Sequence, residues 1–345
     1  MDEQSEIPLF GLDFMGILDR GTNLLEIKPI TVCNLRCKYC FVNAHFGNTP
    51  MKSDTSSEKS NTFMIQTDYI IKWLKIALKY KKCNDTEVHI APYGEIFLYP
   101  DYLDLFQKIT RLPQVKTLSI QTNGTLLTEK IIDKLEKVGV TRLNISLNTL
   151  NEKKASILSG IPHYDVSHLL RTMHYIKSSS IDLLIAPIWF FKYNDEDIKQ
   201  IIELAQDLVK DGYDPPTPLL GIQNYLIYKT GRKFWKVQPH SFDYFYKRLS
   251  QLENKYNIKL KIGPLDFDIH PAEPISAPVE FGTKISVKIL CLGRSKNEYI
   301  GSLNDMWAVK VLSKIPLAPQ KIISVTVIKQ KPNENLITAT YSGTF

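Results

Sequence analysis

Amphipathic helices alternating with short β-prone runs from about residue 24 to 256 predict an α/β fold, and a run of strands after residue 284 predicts a small all-β barrel behind it. A third observation marks where such a fold would work. Three cysteines fall within Cys33-Asn34-Leu35-Arg36-Cys37-Lys38-Tyr39-Cys40, directly after the first predicted strand. Alternation of this kind brings a parallel sheet with right-handed crossovers, either an α/β barrel or an open α/β layer, with working residues on the loops that follow the strands.

Residues 24 to 32 alternate apolar and polar as a strand does and feed the cysteine loop. From Gln66 to Lys82 the apolar positions Ile70, Ile71, Trp73, Leu74, Ala77 and Leu78 have helical period, with lysines on the other face. Glu87 to Ala91 reads as a second strand. The pattern continues with helices at about 101 to 110, 128 to 138, 165 to 178, 195 to 210 and 241 to 256. Strands are expected between them at Thr117 to Gln121, Arg142 to Leu147, Asp182 to Ile188 and near 219 to 227. Asp195 fits the N-cap of its helix. Ser53 to Asn61 is a polar stretch that reads as an insertion.

Beyond residue 258, Pro264, Pro271, Pro274 and Pro278 exclude a continuous helix. Four β-prone runs follow, beginning at Lys284, Met306, Lys321 and Asn335. The expected organisation is an N-terminal extension at 1–21, a core domain at 22–258, a proline-rich connector at 259–275 and a small β-barrel at 276–345.

The chain has 345 residues, with 43% hydrophobic and 23% charged residues, the composition of an ordinary globular protein. No apolar run approaches the roughly 20 residues that span a bilayer. The acidic start, Met1-Asp2-Glu3-Gln4-Ser5-Glu6, lacks the basic region of a secretory signal, so a cytoplasmic location is expected. Five cysteines, three of them in one loop, do not make a disulfide framework. Cys83 and Cys291 read as small buried residues. The net charge is +7, and residues 276 to 345 carry +5 of it. That excess suits either a polyanion such as RNA or a solvated lysine-rich surface.

A loop this tight aims three thiolates at one place without a fourth ligand beside them. Zinc would need another Cys or His; His45 and His89 are the candidates, but no second Cys pair is present. Thiolates also hold iron-sulfur clusters, and three of them leave one iron open. The Cys-x3-Cys-x2-Cys spacing, with Tyr39 before the third cysteine, resembles the signature loop of the radical S-adenosylmethionine (radical SAM) superfamily. The resemblance extends in order along the chain. Tyr93-Gly94-Glu95 is similar to the family's Gly-Gly-Glu element, with Tyr93 in place of the first glycine. Asn123 lies in a Thr-Asn-Gly strand end, and Ser146 lies in a segment like Ile-Ser-Leu-Asp with Asn148 in place of the acid.

The resemblance implies a partial (β/α)6 TIM-like barrel and a 4Fe-4S cluster on Cys33, Cys37 and Cys40. It also implies S-adenosylmethionine held by Tyr93, Gly94, Glu95, Asn123, Ser146 and Asn148, and a one-electron donor as partner. Such an enzyme cleaves S-adenosylmethionine reductively to a 5′-deoxyadenosyl radical. No catalytic residue beyond the cluster ligands is assigned. Phe281 to Tyr341 loosely resembles the TRAM domain, a small β-barrel of RNA-modifying enzymes, which points to RNA, and tRNA in particular, as substrate. Two alternatives stand beside this reading: a peptide or small molecule substrate, as in the molybdenum-cofactor-synthesis branch, and a non-catalytic iron-sulfur RNA-binding protein.

Overall fold

The computed structural model describes residues 1–46 and 61–343. The polar stretch 53–60 and the side chain of His45 lie outside the described residues. The chain forms two compact units, one of Met1–Cys33, His45–Lys116 and Pro271–Phe345, the other of Asn34–Ala44 and Thr117–His270.

The first unit opens with β1 (Gly16–Asp19), β2 (Leu24–Lys28), β3 (Val32–Cys33) and β4 (His45–Phe46), followed by α1 (Thr67–Lys81), β5 (Thr86–Ile90) and α2 (Tyr102–Thr110). Strand β2 pairs antiparallel with β1 and parallel with β5, while β3 pairs parallel with β4. The expected strand at 24 to 32 therefore breaks after Lys28; Ile30 makes an isolated antiparallel bridge to Met64, and a strand resumes at Val32. Helix α1 buries Tyr69, Ile70, Ile71, Trp73, Leu74, Ala77 and Leu78, the stripe its periodicity predicts.

Strand β6 (Val115–Thr122) belongs to the second unit from Thr117 on, followed there by α3 (Glu129–Lys137), β7 (Arg142–Ile145), α4 (Glu152–Ser159), α5 (Val166–Ile176) and β8 (Asp182–Ile185). After them come β9 (Ile188–Trp189), α6 (Asp195–Lys210), β10 (Gln223–Asn224) and α7 (Phe242–Tyr256). Strands β6, β7 and β8 are parallel neighbours, and Leu220 adds one parallel bridge to Ile185. Helix α4 was not expected, although its ends are marked: Asn151 accepts from the Lys154 N–H at 3.0 Å, and Gly160 closes it in a left-handed conformation.

The N-cap of α6 is Asn194, one residue before the position the sequence favours. Asp195 instead accepts from the Trp189 indole at 2.7 Å and from the Lys192 N–H at 3.1 Å. An indole N–H buried without an acceptor is costly, and that need outweighs capping here.

The first unit also contains the C-terminal strands β11 (Lys284–Leu292), β12 (Glu298–Leu303), β13 (Trp307–Ser313), β14 (Ile322–Lys329) and β15 (Thr338–Tyr341). They close a five-stranded barrel in the order β11-β12-β13-β15-β14, every pairing antiparallel except β13 with β15. Closure leaves no free sheet edge. Val287, Ile289, Ile300, Val309, Val311, Val325, Val327 and Ala339 fill its interior. Strand β12 escaped the sequence reading because Gly301 interrupts it. A Cβ there would stand 2.2 Å from Val287 Cγ1, so the glycine is a packing requirement.

The N-terminal residues are stitched into this unit. The Phe10 ring meets Trp73 at 5.1 Å and Trp307 at 5.7 Å, and the Ala308 N–H donates to the Phe10 carbonyl. Gly11 has φ +116°, and an added Cβ would lie 1.8 Å from the Ala308 carbonyl oxygen. Among the described residues no helix is long and apolar enough to cross a membrane.

Candidate active site

In the first unit, the segment Tyr93-Gly94-Glu95 lies against the strand that ends in Cys33. The Glu95 N–H donates to the Val32 carbonyl at 2.8 Å. An added Cβ on Gly94 would meet the Val32 carbonyl oxygen at 2.0 Å and its carbon at 2.6 Å. The residue is glycine for space, since its φ is not among the positive ones. Gly94→Ala is therefore expected to push β3 away and cost about 1–3 kcal/mol. Denaturant unfolding of the variant checks this, and an unchanged midpoint contradicts it.

Glu95 is 1% exposed, and its Oε1 accepts from the Phe97 N–H at 3.2 Å, capping a short 3-10 turn. Tyr93 sits between two cations: Lys28 Nζ and the Arg294 guanidinium each lie 5.3 Å from its ring centroid. Burial raises the Tyr93 hydroxyl well above its ordinary value, so it stays protonated. Lys28 also donates to the Ala91 carbonyl at 3.2 Å and pairs with Glu26 at 2.6 Å. Burial alone would raise the Glu26 carboxyl, but Lys28 and Arg20 overcome it and hold the group at about 2.

Within the second unit, the cysteine loop runs along the end of α4. The Arg36 and Lys38 N–H groups donate to the Ser159 and Leu158 carbonyls, both at 2.9 Å. Gly160 permits the approach, because a Cβ would stand 2.3 Å from the Arg36 carbonyl oxygen. Asn34, next to Cys33, closes a ring of three hydrogen bonds. Its amide donates to the Thr125 hydroxyl at 2.9 Å, that hydroxyl donates to Asn123 Oδ1 at 2.6 Å, and the Asn123 amide returns to Asn34 Oδ1 at 2.9 Å. Asn123 thus ties the end of β6 to the cysteine loop. Ser146 accepts from the Gln121 amide at 3.2 Å and is half-buried.

Asn148 faces the loop as well. Its Oδ1 accepts from the Ile188 N–H at 2.7 Å, and its amide nitrogen donates to the Tyr39 hydroxyl at 2.6 Å. The Tyr39 ring packs 4.8 Å from Phe190, over a core of Leu158, Phe190, Tyr225, Phe234 and Val237. Burial, with the Cys40 thiol close by, pushes the Cys37 thiol up to about 12, while a hydrogen bond from Tyr39 opposes the rise.

One feature of this unit lies outside the motifs. The segment Tyr228 to Arg248 holds six Lys and Arg against one acid, Asp243. It also exposes Tyr228, Trp235 (80%), Phe242, Tyr244 and Tyr246. The segment is fastened to the cysteine loop: the Arg232 N–H donates to the Cys40 carbonyl at 2.8 Å, its guanidinium to the Ala44 carbonyl at 2.9 Å, and Tyr228 meets Phe41 at 5.6 Å. Phe234 and Val237 are buried on either side of Trp235 and Lys236, which holds the latter two at the surface. Exposure of these aromatics was not readable from composition.

The donor set suits a cluster. Among the described residues no three His, Cys, Asp or Glu side chains converge as the ligands of a single ion do. Thiolates that each bind a different iron of a cluster need not converge in that way. Cys83 hydrogen-bonds Thr86 at 3.3 Å, and Cys291 lies half-buried on β11.

Comparison with known proteins gives a consistent picture. The family model described as Radical SAM superfamily matches residues 27–205. An uncharacterized protein of Methanocaldococcus jannaschii is 34% identical over 314 residues, covering 87% of this chain and 71% of that protein. A GTP 3′,8-cyclase of Clostridium perfringens is 27% identical over 188 residues, covering 54% of this chain; the chain spans about half (52%) of the cyclase's length. Among solved structures, Streptococcus suis SuiB bound to S-adenosylmethionine aligns with a TM-score of 0.50 at 18% identity, over 74% of this chain and 49% of SuiB. HydG, a maturase of the [FeFe]-hydrogenase, aligns at 0.51 and 14% identity, over 66% of this chain and 48% of HydG. Both likenesses concern the fold.

Proposed function

Because this chain belongs to the radical SAM superfamily, we propose that it uses the cysteine loop to start radical chemistry on an RNA substrate. It is a radical SAM enzyme, and members of that superfamily use a 4Fe-4S cluster and S-adenosylmethionine. When bound, these supply a 5′-deoxyadenosyl radical by one-electron cleavage of S-adenosylmethionine. Cys33, Cys37 and Cys40 are the cluster ligands in this reading. In the same reading Gly94 and Glu95 of the first unit, and Asn123 and Ser146 of the second, are assigned to S-adenosylmethionine binding. Tyr93 acts by holding its segment between Lys28 and Arg294, and Asn148 acts on Tyr39.

The observation that carries RNA is the segment Tyr228 to Arg248. Exposed rings beside lysine and arginine suit unpaired bases and their phosphates, because every base offers a face for stacking and every phosphate a charge. It is fixed to the cysteine loop through Arg232, so a strand laid on it would lie beside the segment that carries Cys37 and Cys40. The basic barrel adds charge of the same sign.

The test is binding of unfractionated tRNA at two salt concentrations. A surface engaging about six phosphates loses roughly 10³-fold in affinity between about 50 and 200 mM salt. Trp235→Ala should weaken binding by about 1–3 kcal/mol through lost stacking. Binding that ignores both salt and Trp235 would contradict the RNA reading. A second reading, a purine nucleotide substrate, is favoured by the similarity to GTP 3′,8-cyclase. GTP rather than RNA would then stimulate formation of 5′-deoxyadenosine.

A further inference from the structure

Within the first unit, the barrel reaches the Tyr93-Gly94-Glu95 segment through the side chain of Arg294. This residue stands in the turn between β11 and β12, whose shape is fixed by short hydrogen bonds. The Gly293 N–H donates to the Glu298 carbonyl at 2.6 Å, and the Arg294 N–H donates to Glu298 Oε1 at 2.9 Å. Asn61 braces the turn from outside the barrel: its N–H donates to the Arg294 carbonyl at 3.0 Å and its side-chain amide to the Gly293 carbonyl at 2.7 Å. Position 293 has no room for a side chain, since a Cβ would stand 2.5 Å from Glu298 Cγ. Arg294 is 8% exposed, and its guanidinium lies over the Tyr93 ring, 5.3 Å from the centroid. A desolvated cation gains more from the negative face of a ring than an exposed one does.

Tyr93 adjoins two residues that are held from the strand side. Gly94 packs on the Val32 carbonyl, and the Glu95 N–H donates to the same carbonyl at 2.8 Å. The ring adds a second hold one residue upstream, joined to β2 through Lys28 and to the barrel through Arg294. We infer that Arg294 is a positioning residue for S-adenosylmethionine: standing over the Tyr93 ring, it keeps the Tyr93-Gly94-Glu95 segment in the conformation that binds. A segment ordered before the cofactor arrives loses less freedom on binding, so affinity rises without any contact between Arg294 and the cofactor. The barrel is thereby part of the frame of the cofactor site, whatever substrate the enzyme takes. The inference rests on the reading that Gly94 and Glu95 bind S-adenosylmethionine.

The test is a double-mutant cycle read by anaerobic equilibrium dialysis of labelled S-adenosylmethionine against the unreduced, reconstituted holoenzyme, so that no turnover enters. Arg294→Met and Tyr93→Leu should each raise the dissociation constant by about tenfold. The double variant should be no weaker than the weaker single one, because either change already breaks the contact. Tyr93→Phe, which keeps the ring face, should stay within about threefold of the wild type. An unchanged dissociation constant in Arg294→Met overturns the inference, even where its unfolding midpoint falls. A loss of about a hundredfold in the double variant also overturns it, since Arg294 would then act without Tyr93. So does a Tyr93→Phe variant as weak as Tyr93→Leu. A wild-type holoenzyme that binds no S-adenosylmethionine defeats the binding reading itself, and the inference with it. Should Arg294→Met fail to fold, Arg294→Gln takes its place with the same expected loss.

Discussion

Replacing Cys37 by serine is expected to remove the bound iron and to lower 5′-deoxyadenosine formation by roughly two orders of magnitude or more, while the fold stands. The loop does not depend on its thiols for shape. Its backbone is tied to Ser159 and Leu158, Arg232 donates to the Cys40 carbonyl, and Tyr39 is packed on Phe190. What the thiol provides is ligation. Burial and the neighbouring Cys40 hold the free Cys37 thiol at about 12, so binding iron must displace its proton, which a serine hydroxyl yields far less readily. Changing groups that only support metal ligands costs about 10–100-fold, and losing a ligand should cost at least the upper figure. Iron analysis and product assay of the purified variant measure both quantities. Retained iron with unchanged turnover would show that Cys37 is not a ligand.

Lys81→Met is expected to destabilise the protein by about 3–5 kcal/mol. The side chains of Lys81 and Asp19 are both 0% exposed and pair at 2.9 Å. Lys81 also donates to the Glu273 carbonyl at 2.7 Å. Asp19 accepts from the Gly21 N–H at 3.1 Å and from the Ile275 N–H at 2.6 Å. Methionine fills the space of the lysine stem but leaves a buried carboxylate without its cation. The double variant Lys81→Met with Asp19→Leu should not recover the loss, because the Gly21 and Ile275 N–H groups would then lack an acceptor. Denaturant unfolding at neutral pH decides it; a loss below about 1 kcal/mol would mean that the pair contributes little.

The contrast between these two predictions shows where the sequence was legible. The cysteine loop is a local pattern, and its spacing can be read without knowing the fold. The helices α1, α2 and α6 were equally open, since each repeats its apolar positions over several turns. Short elements were not: β1 is four residues long and entirely buried, which gives no alternation to read. Nor were long-range contacts. Asp19 and Ile275 are 256 residues apart, Asn34 and Asn123 are 89 apart, and Asn148 and Tyr39 are 109 apart. Asn148, expected as an S-adenosylmethionine contact, hydrogen-bonds the Tyr39 hydroxyl and the Ile188 N–H. No local pattern signals that pairing, because it depends on how the segment after β7 and the cysteine loop come side by side.

The central claim is that the loop of Cys33, Cys37 and Cys40 carries a cluster that cleaves S-adenosylmethionine. Its most direct test is anaerobic reconstitution with iron and sulfide, reduction with dithionite, and chromatographic assay for 5′-deoxyadenosine. The account predicts bound iron and sulfide in the proportions of a 4Fe-4S cluster, with product that requires both reductant and S-adenosylmethionine. Zinc bound in place of iron, or a reduced cluster that leaves S-adenosylmethionine intact, would contradict it.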